Sequence, residues 1–360
     1  MQLPERQSLV SQTVSIIQQM IVEGSLVSPL MGERRLATKL QIGRDTLRSA
    51  LKELESKQWI SSGLHGKRRT ILNPPELEVC EPNQKTVAVV SPKPIEQLPN
   101  HVLIELDTLR ANLANKGILL EVVIPSVFNT TNPYKRLDSM LKQHPADVWI
   151  LYRCTPQIQE WFQERELPCI IRGYPHPDIN LPYLDEDWHA AAFHATNQLI
   201  QNGHTDIALL VPDKELQGLI ATESGIRDAA EKSRSDVSVH VLKENGDKES
   251  VLQALSKGLE QHTQISALVI TRPRQLLNTM TWLAQHRLSI PEHLSIIALC
   301  YEPWFEELIP TINFYQASQT HLVKNLTKRL STLLQGNSLE SHVSLVIPEL
   351  LKGQSIKKIN

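Results

Sequence analysis

Three side chains around position 45 have the types and spacing that contact DNA. Arg44, Thr46 and Arg48 follow the tight turn formed by Ile42-Gly43. An arginine guanidinium binds phosphate oxygens or the edge of a guanine, and a threonine hydroxyl can contact either phosphate or base. Residues that open the second helix of a helix-turn-helix enter the major groove. The segment therefore predicts a contact with double-stranded DNA.

The helices that must position these residues follow from the apolar periodicity. The spacing predicts helices over Leu9–Glu23, which Gly24 ends, and Glu33–Leu40, and a third helix that begins after Gly43. The buried face of the third helix comprises Leu47, Ala50, Leu51 and Leu54. The opposite, solvent face comprises Arg44, Asp45, Arg48 and Lys52. Two short strands, Trp59-Ile60 and Arg69–Leu72, would flank a basic hairpin.

A solvated helix face is the alternative interpretation of these charges. The cations of the third helix would then pair with the nearby carboxylates Asp45, Glu53 and Glu55. The preceding helix, the tight turn and the basic hairpin together favour DNA instead. Residues 1–76 also hold 11 Lys and Arg against 7 Asp and Glu, whereas the whole chain carries −2. A basic segment on an acidic body is typical of a nucleic-acid contact confined to that segment.

The segment resembles the GntR-type winged helix-turn-helix, whose pattern runs roughly P-S-E-R-x-L-A, S-R-x-T-V-R-x-A-L and L-E-x-x-G. The matching residues are Glu33, Arg34, Leu36, Ala37, Arg44, Thr46, Leu47, Arg48, Ala50, Leu51, Leu54 and Glu55. With Asp45 beside them, the DNA-binding candidates that this resemblance implies are Arg34, Arg44, Thr46, Arg48 and the wing residues His65, Gly66 and Lys67. The sequence departs from the pattern at Met31-Gly32 for Pro-Ser, at Gly43 for Ser or Thr, and at Gln58 for Gly.

A proline-containing linker at 73–85 separates a head at 1–72 from a large domain at 86–355. Apolar runs in the large domain predict strands at 86–91, 119–124, 147–152, 168–171, 207–211, 238–241, 267–271 and 295–299. Helices are predicted between the strands, including Ser224–Ser233 and Lys248–Gln261. Such alternation predicts an α/β fold with parallel sheets, helices on both faces and two lobes. A ligand is expected at the carboxyl ends of the strands.

Four segments of the large domain resemble the LacI-type sensor, which is similar to periplasmic sugar-binding proteins. They are LDEDWHAAAFHATNQLIQNGHTDIALL (184–210), LSIPEHLSIIAL (288–299), PTINFYQAS (310–318) and VIPELLKGQS (346–355). A GntR-type head on a LacI-type sensor is similar to bacterial regulators of sugar catabolism. The resemblance implies a two-lobed, periplasmic-binding-protein-like fold that binds an effector and forms a homodimer.

The residues that would contact a sugar in this family are largely replaced. Arg272-Pro273 stands in place of an Asn-Asp pair, Cys300 in place of an Asp, and Trp188 in place of an Asn, while Asp187 is kept. An arginine expected shortly before Gly225 is missing. Because carboxylates and amides are the partners of sugar hydroxyls, these replacements disfavour an ordinary neutral sugar.

Arginines instead follow three of the predicted strands, at positions 153, 172 and 272. If they converge, they would suit an anion such as a phosphosugar or a carboxylate. With aromatic rings to stack on the ligand, the candidate effector-binding residues are Tyr152, Arg153, Arg172, Asp187, Trp188, Arg272 and Trp304. The alternative stays open that the arginines pair with Asp185, Glu186 and Asp187 in a cleft that binds nothing.

These features favour a cytoplasmic transcriptional regulator, a repressor that binds a pseudo-palindromic DNA operator as a homodimer and responds to a sugar or an anionic metabolite. We expect no enzyme activity, cofactor or metal, since G-x-S-x-G, H-E-x-x-H, Walker and Cys-x-x-Cys motifs are missing. No apolar run approaches 18 residues, and no signal peptide is recognised, so no membrane association is expected. Two alternatives are a sensor that only dimerises and a solute-binding module. The intact Arg-x-Thr-x-Arg pattern argues against the module.

Overall fold

A computed structural model describes residues 9–22, 26, 28–40, 42–61, 68–72, 84–129 and 133–359. The chain divides into two compact units, Met1–Gln84 and Lys85–Asn360. Nearly all of the predicted linker lies outside the described residues. The same holds for Gly24 and for the wing candidates His65, Gly66 and Lys67.

The described part of the first unit contains three helices, α1 (Leu9–Val22), α2 (Glu33–Leu40) and α3 (Arg44–Ser56). Their predicted apolar faces are buried in one core, which includes Val14, Ile17, Ile21, Leu36, Ala37, Leu47, Ala50, Leu51 and Leu54. Burial of these faces holds the helices together, because short helices are marginal on their own. The prediction of three helices in this unit is confirmed.

The chain after α3 forms the base of the predicted hairpin. An antiparallel bridge joins Ile60 to Ile71, and the Ser61 amide donates to the Thr70 carbonyl over 2.8 Å. The pairing is a single bridge with flanking hydrogen bonds rather than two regular strands.

Helix α3 ends in a left-handed turn. The Gln58 amide donates to the Glu55 carbonyl and the Trp59 amide to the Leu54 carbonyl, at 3.0 and 2.9 Å. This hydrogen-bond pair is the Schellman motif, and Gln58 occupies the position that glycine usually takes, with φ at +57°. A side chain in this conformation costs roughly 1–2 kcal/mol.

Lobe 1 of the second unit is built on a sheet of six parallel strands in the order β2-β1-β3-β4-β5-β11. The strands are β1 (Thr86–Val90), β2 (Leu119–Val123), β3 (Val148–Tyr152), β4 (Cys169–Arg172), β5 (Tyr183–Glu186) and β11 (Val343–Val346). The helices are α4 (Asn100–Ala114), α5 (Tyr134–Gln143), α6 (Pro156–Glu164) and α11 (Gln319–Leu334). Helices α4 and α11 pack on one face of the sheet, and α5 and α6 on the other.

Lobe 2 repeats this plan with the strand order β7-β6-β8-β9-β10-β12, in which only β12 is antiparallel among the described strands. The strands are β6 (Asp206–Pro212), β7 (Ser238–Glu244), β8 (Ala267–Ile270), β9 (Ser295–Ala298), β10 (Asn313–Gln316) and β12 (Glu349–Leu351). The helices are α7 (Trp188–Gln201), α8 (Gln217–Glu231), α9 (Lys248–Gln261) and α10 (Pro273–Gln285). Helices α9 and α10 cover one face, and α7 and α8 the other.

The predicted α/β fold with parallel sheets and two lobes is confirmed. Helix α8 starts at Gln217 rather than at the predicted Ser224, and its first turn lies beside the Trp188 ring. A Cβ added to Gly218 would lie 3.3 Å from that ring, so tertiary packing accommodates a glycine that local propensity disfavours. None of the helices in the described residues is long and apolar enough to cross a membrane.

We predict that Gln58→Gly stabilises the first unit by about 1 kcal/mol, because glycine removes the cost of the left-handed conformation. Urea denaturation of the full chain, followed by a signal from this unit, measures the change. Gln58→Ala is the matched control and should give no gain, since alanine keeps the Cβ. Equal stability of the glycine and alanine variants would contradict the prediction.

Candidate functional site

A cavity of about 250 Å³ lies between the two lobes, at the carboxyl ends of their parallel strands. Tyr152 and Arg172 contribute to it from the ends of β3 and β4 in lobe 1. Arg272 and Cys300 contribute from the turns after β8 and β9 in lobe 2. Parallel sheets place ligands at this edge, because the loops there converge and are free to vary.

A buried ion cluster, called the Arg172 cluster, forms the lobe 1 wall. It consists of Arg172, Glu105, Asp185 and Glu186. The Arg172 guanidinium donates to both Glu105 oxygens, over 2.8 and 3.0 Å, and to Glu186 over 3.3 Å. It also donates to Asp185. The sequence left open that the arginines pair with nearby carboxylates, and Arg172 does so. Its charge is therefore already compensated.

The protonation of the Arg172 cluster follows from its charges. Burial and a hydrogen bond with Glu186 raise the pKa of Asp185 well above its usual 3.8. Although burial opposes it, the positive charge of Arg172 lowers the pKa of Glu186 to about 2. Two adjacent buried carboxylates cannot both ionise cheaply, so Asp185 keeps the proton and Glu186 carries the charge.

The other two predicted arginines lack such compensation. In the described part of the chain, neither Arg153 nor Arg272 has a carboxylate within ion-pair distance. One Arg272 nitrogen donates to the Thr271 carbonyl over 3.0 Å. Burial lowers the pKa of Arg272, and the positive charge of Arg153 lowers it further. Arg153 itself lies 5.3 Å from the centroid of the Tyr152 ring.

Uncharged groups complete the wall of the cavity. The Tyr174 hydroxyl donates to the Glu186 carbonyl over 3.0 Å and accepts from the Trp188 amide over 3.2 Å, which holds the backbone at Trp188, another residue that lines the cavity. His101 also lines the cavity, and burial lowers its pKa. Gln319, the first residue of α11, also lines the cavity, and its side-chain oxygen is buried without a hydrogen-bond partner in the described structure.

The structure places two predicted effector residues away from the cavity. Asp187 caps α7, where its side chain accepts from the Ala190 amide over 2.9 Å. The Trp304 ring packs edge to face on Phe305, 4.6 Å between centroids, at the edge of the lobe 2 core. The expectation that both contact an effector is corrected accordingly, because local capping and core packing occupy their side chains.

The structure adds Glu105 to the predicted residues. Glu105 lies on α4 among the buried residues Val102, Leu106, Leu109 and Leu113. A carboxylate at this spacing on an apolar face signals a buried partner, and that signal is present in the sequence. Its partner Arg172 is 67 residues away, a separation that no local pattern connects.

The DNA-binding candidates of the first unit lie on the surfaces of α2 and α3. Arg34, Arg44, Asp45 and Arg48 are exposed, and Thr46 is half-buried. Arg34 and Arg44 line one surface depression between the two helices, and neither forms an ion pair within the described residues. Turn Ile42-Gly43 positions Arg44 because Gly43, in extended conformation, stands at the helix cap.

Arg48 is paired, though not with the carboxylates that the sequence suggested. Its Nε donates to Glu33 on α2 over 3.0 Å, and its side chain stays 61% exposed. Glu33 also binds Arg69 over 2.8 Å, and hydrogen bonds from Arg69 and Arg48 lower the pKa of Glu33. An exposed pair of this kind contributes little to stability, so it can exchange for another anion at small cost.

Comparison with known proteins supports the fold. Residues 196–356 match the family model described as a periplasmic binding protein-like domain. The HTH-type transcriptional repressor PurR of Vibrio campbellii is 22% identical over 216 residues, which are 59% of this chain and 65% of that protein. The chain thus matches just under two thirds of the length of this relative.

Two solved structures share the architecture at low sequence identity. The putative transcriptional regulator LacI from Bacillus cereus subsp. cytotoxis has a TM-score of 0.67 and 20% identity, covering 77% of this chain and 100% of its own. A LacI-family sugar-binding transcriptional regulator from Escherichia coli, complexed with phosphate, has a TM-score of 0.62 and 17% identity, covering 76% and 99%. The likenesses establish the two-lobed, periplasmic-binding-protein-like fold.

We predict that two substitutions in the Arg172 cluster change stability by very different amounts. Asp185→Asn should change the free energy of unfolding at pH 7 by less than about 1 kcal/mol, because a neutral amide replaces a protonated carboxyl. Arg172→Gln should lower it by about 3–5 kcal/mol, because buried carboxylates lose their cation. Urea denaturation of the full chain measures both.

Asp185→Asn should also change how the stability of the protein depends on pH. Protonation of Asp185 favours the folded state, and this contribution is complete below the usual pKa and is lost as the pH rises toward the raised one. Asp185→Asn should therefore lose less stability than the unchanged protein as the pH rises. A destabilisation by Asp185→Asn as large as that by Arg172→Gln would show that Asp185 is ionised.

Proposed function

We propose that the chain is a sequence-specific, DNA-binding transcriptional regulator, a repressor, whose second unit senses a small-molecule effector. The observation that carries this proposal is the pair Arg34 and Arg44. Both are exposed and unpaired within the described residues, and they flank one depression between α2 and α3, where a helix-turn-helix meets DNA. The similarity to PurR, a transcriptional repressor, agrees with it.

We further propose that the first unit is a winged helix-turn-helix of GntR type. The left-handed φ of Gln58 supports this assignment, because the GntR pattern carries glycine at that position. The bridge between Ile60 and Ile71 supports a hairpin after α3. In this proposal His65, Gly66 and Lys67, which lie outside the described residues, form the wing.

The proposed partner is a pseudo-palindromic operator bound by a homodimer in the cytoplasm. Two-fold symmetry of the protein would match two half-sites on the duplex. Arg44, Arg48 and Thr46 would enter the major groove from the first turns of α3, and Arg34 would bind the backbone. Effector binding between the lobes would change the separation of the two heads and so the operator affinity.

A sensor that has lost its ligand is the second candidate, and the Arg172 cluster favours it in part. Arg153 and Arg272 favour a sensor that binds an effector, because a fold that binds nothing gains no advantage from two cations facing one cavity. We therefore propose that the cavity between the lobes binds an effector.

We predict that Arg44→Ala weakens binding to the preferred DNA by about 1–3 kcal/mol, roughly 5- to 150-fold in Kd. The DNA is obtained by sequencing fragments from a random library that the purified full chain retains. Fluorescence anisotropy with the selected duplex measures Kd, and thermal melting verifies that the variant is folded.

Lys57→Ala is the control for charge. Lys57 is exposed and lies at the far end of α3, so the same change in charge there should leave Kd within about a factor of two. Equal Kd values for Arg44→Ala and the unchanged chain would defeat the assignment of α3, and no fragment enriched by the unchanged chain would defeat the proposed function.

A further inference from the structure

We propose that the cavity between the lobes is built for a hydroxylated organic dianion, which Arg153 and Arg272 hold together from opposite lobes. The inference rests on the proposed sensor function and names the chemical class of its ligand. A phosphate monoester of a sugar and a hydroxydicarboxylate share this chemistry.

Arg272 lacks a counter-charge among the described residues, and the exposed Arg153 is a second positive group near it. Arg272 is half-buried, and the one hydrogen bond described for its side chain is to a neutral carbonyl. A half-buried cation without a counter-charge is unfavourable, and a second positive group nearby adds to the cost. Such an arrangement persists in a folded protein when an anion supplies the missing charge.

Nearby carboxylates are hydrogen-bonded to groups other than Arg153 and Arg272. Asp185 and Glu186 belong to the Arg172 cluster. Glu302, which lines the cavity, accepts from the Asn100 side chain over 3.0 Å. Glu244 accepts from Gln275 over 2.9 Å. The same Gln275 oxygen accepts from the amides of Thr271 and Arg272, so it fixes the turn that presents Arg272.

The cavity wall also offers partners for the uncharged end of the ligand. The side-chain oxygen of Gln319 is a hydrogen-bond acceptor, and buried acceptors are almost always satisfied in proteins. A hydroxyl is the donor that suits it in a cavity of this size. The rings of Tyr152 and Trp188 line the same space and can cover the apolar face of a sugar or a short carbon chain.

The two arginines belong to different lobes. Arg153 follows β3 in lobe 1, and Arg272 follows β8 in lobe 2. Their like charges oppose the approach of the lobes, and a dianion between them converts this repulsion into two attractions. The ligand therefore favours the closed arrangement, as a ligand does that binds one conformation better than another.

The first test needs no knowledge of the ligand. Arg272→Gln should raise the melting temperature of the full, ligand-free chain, because it removes an uncompensated cation. Arg274→Gln is the matched control, since Arg274 is exposed in the first turn of α10 and does not line the cavity. A lower melting temperature for Arg272→Gln than for Arg274→Gln would mean that Arg272 has a structural role and would overturn the proposal.

The second test uses a panel of pentose and hexose phosphates, malate and tartrate, each compared with a neutral sugar and with inorganic phosphate. We expect at least one hydroxylated dianion to raise the melting temperature more than inorganic phosphate does. Calorimetry should then show binding at least tenfold weaker in Arg153→Gln and in Arg272→Gln, and unchanged in Arg274→Gln. Stabilisation by the phosphates alone or by the dicarboxylates alone supports the proposal and identifies the anionic group.

Stabilisation by neutral sugars only, by inorganic phosphate as strongly as by any organic dianion, or by no compound of the panel would overturn the proposal. Retention of DNA by the same preparation separates the two claims. If DNA is retained and no dianion binds, this inference fails and the proposed DNA-binding function stands. If no DNA is retained, the proposed function fails independently of the ligand.

Discussion

Arg172 carries a positive charge into the wall between β4 and α4, and the arrangement of the cavity depends on how that charge is compensated. Both oxygens of Glu105 accept from one edge of its guanidinium, while Asp185 and Glu186 approach from β5. The cluster ties a helix and two strands of lobe 1 together. It also uses the acidic groups that could otherwise have paired with Arg153 and Arg272. The charge of Arg172 is therefore compensated within lobe 1, while Arg153 in the same lobe and Arg272 in lobe 2 remain available to a ligand.

Much of the fold could be predicted from the sequence, because its elements depend on local apolar periodicity. Helix α9 has the bounds predicted from its pattern, Lys248–Gln261. Strands β5 and β11 were not predicted. Each is four residues long with mixed polarity, and they pair with each other through Tyr183 and Val343, far apart in sequence. These two segments form strands because they pair within the sheet, and their own residue patterns do not predict it.

The candidate site could be predicted in part for the same reason. Arginines after strands β3, β4 and β8 are visible locally, and parallel topology predicts that they converge. Their partners are not local. Only the folded chain shows that Arg172 is compensated whereas Arg272 is not, and that Asp187 caps a helix. The same holds in the first unit, where the partner of Arg48 is Glu33 on another helix.

The central proposal is that occupancy of the cavity controls DNA binding by the first unit. The most direct measurement is the Kd of the full chain for its selected duplex, with and without the dianion that stabilises the chain most. We predict that saturating dianion changes this Kd at least fivefold, the lower end of typical allosteric coupling, and that the change disappears in Arg272→Gln. A Kd that is the same with and without the dianion, or that changes equally in Arg272→Gln, would contradict the account.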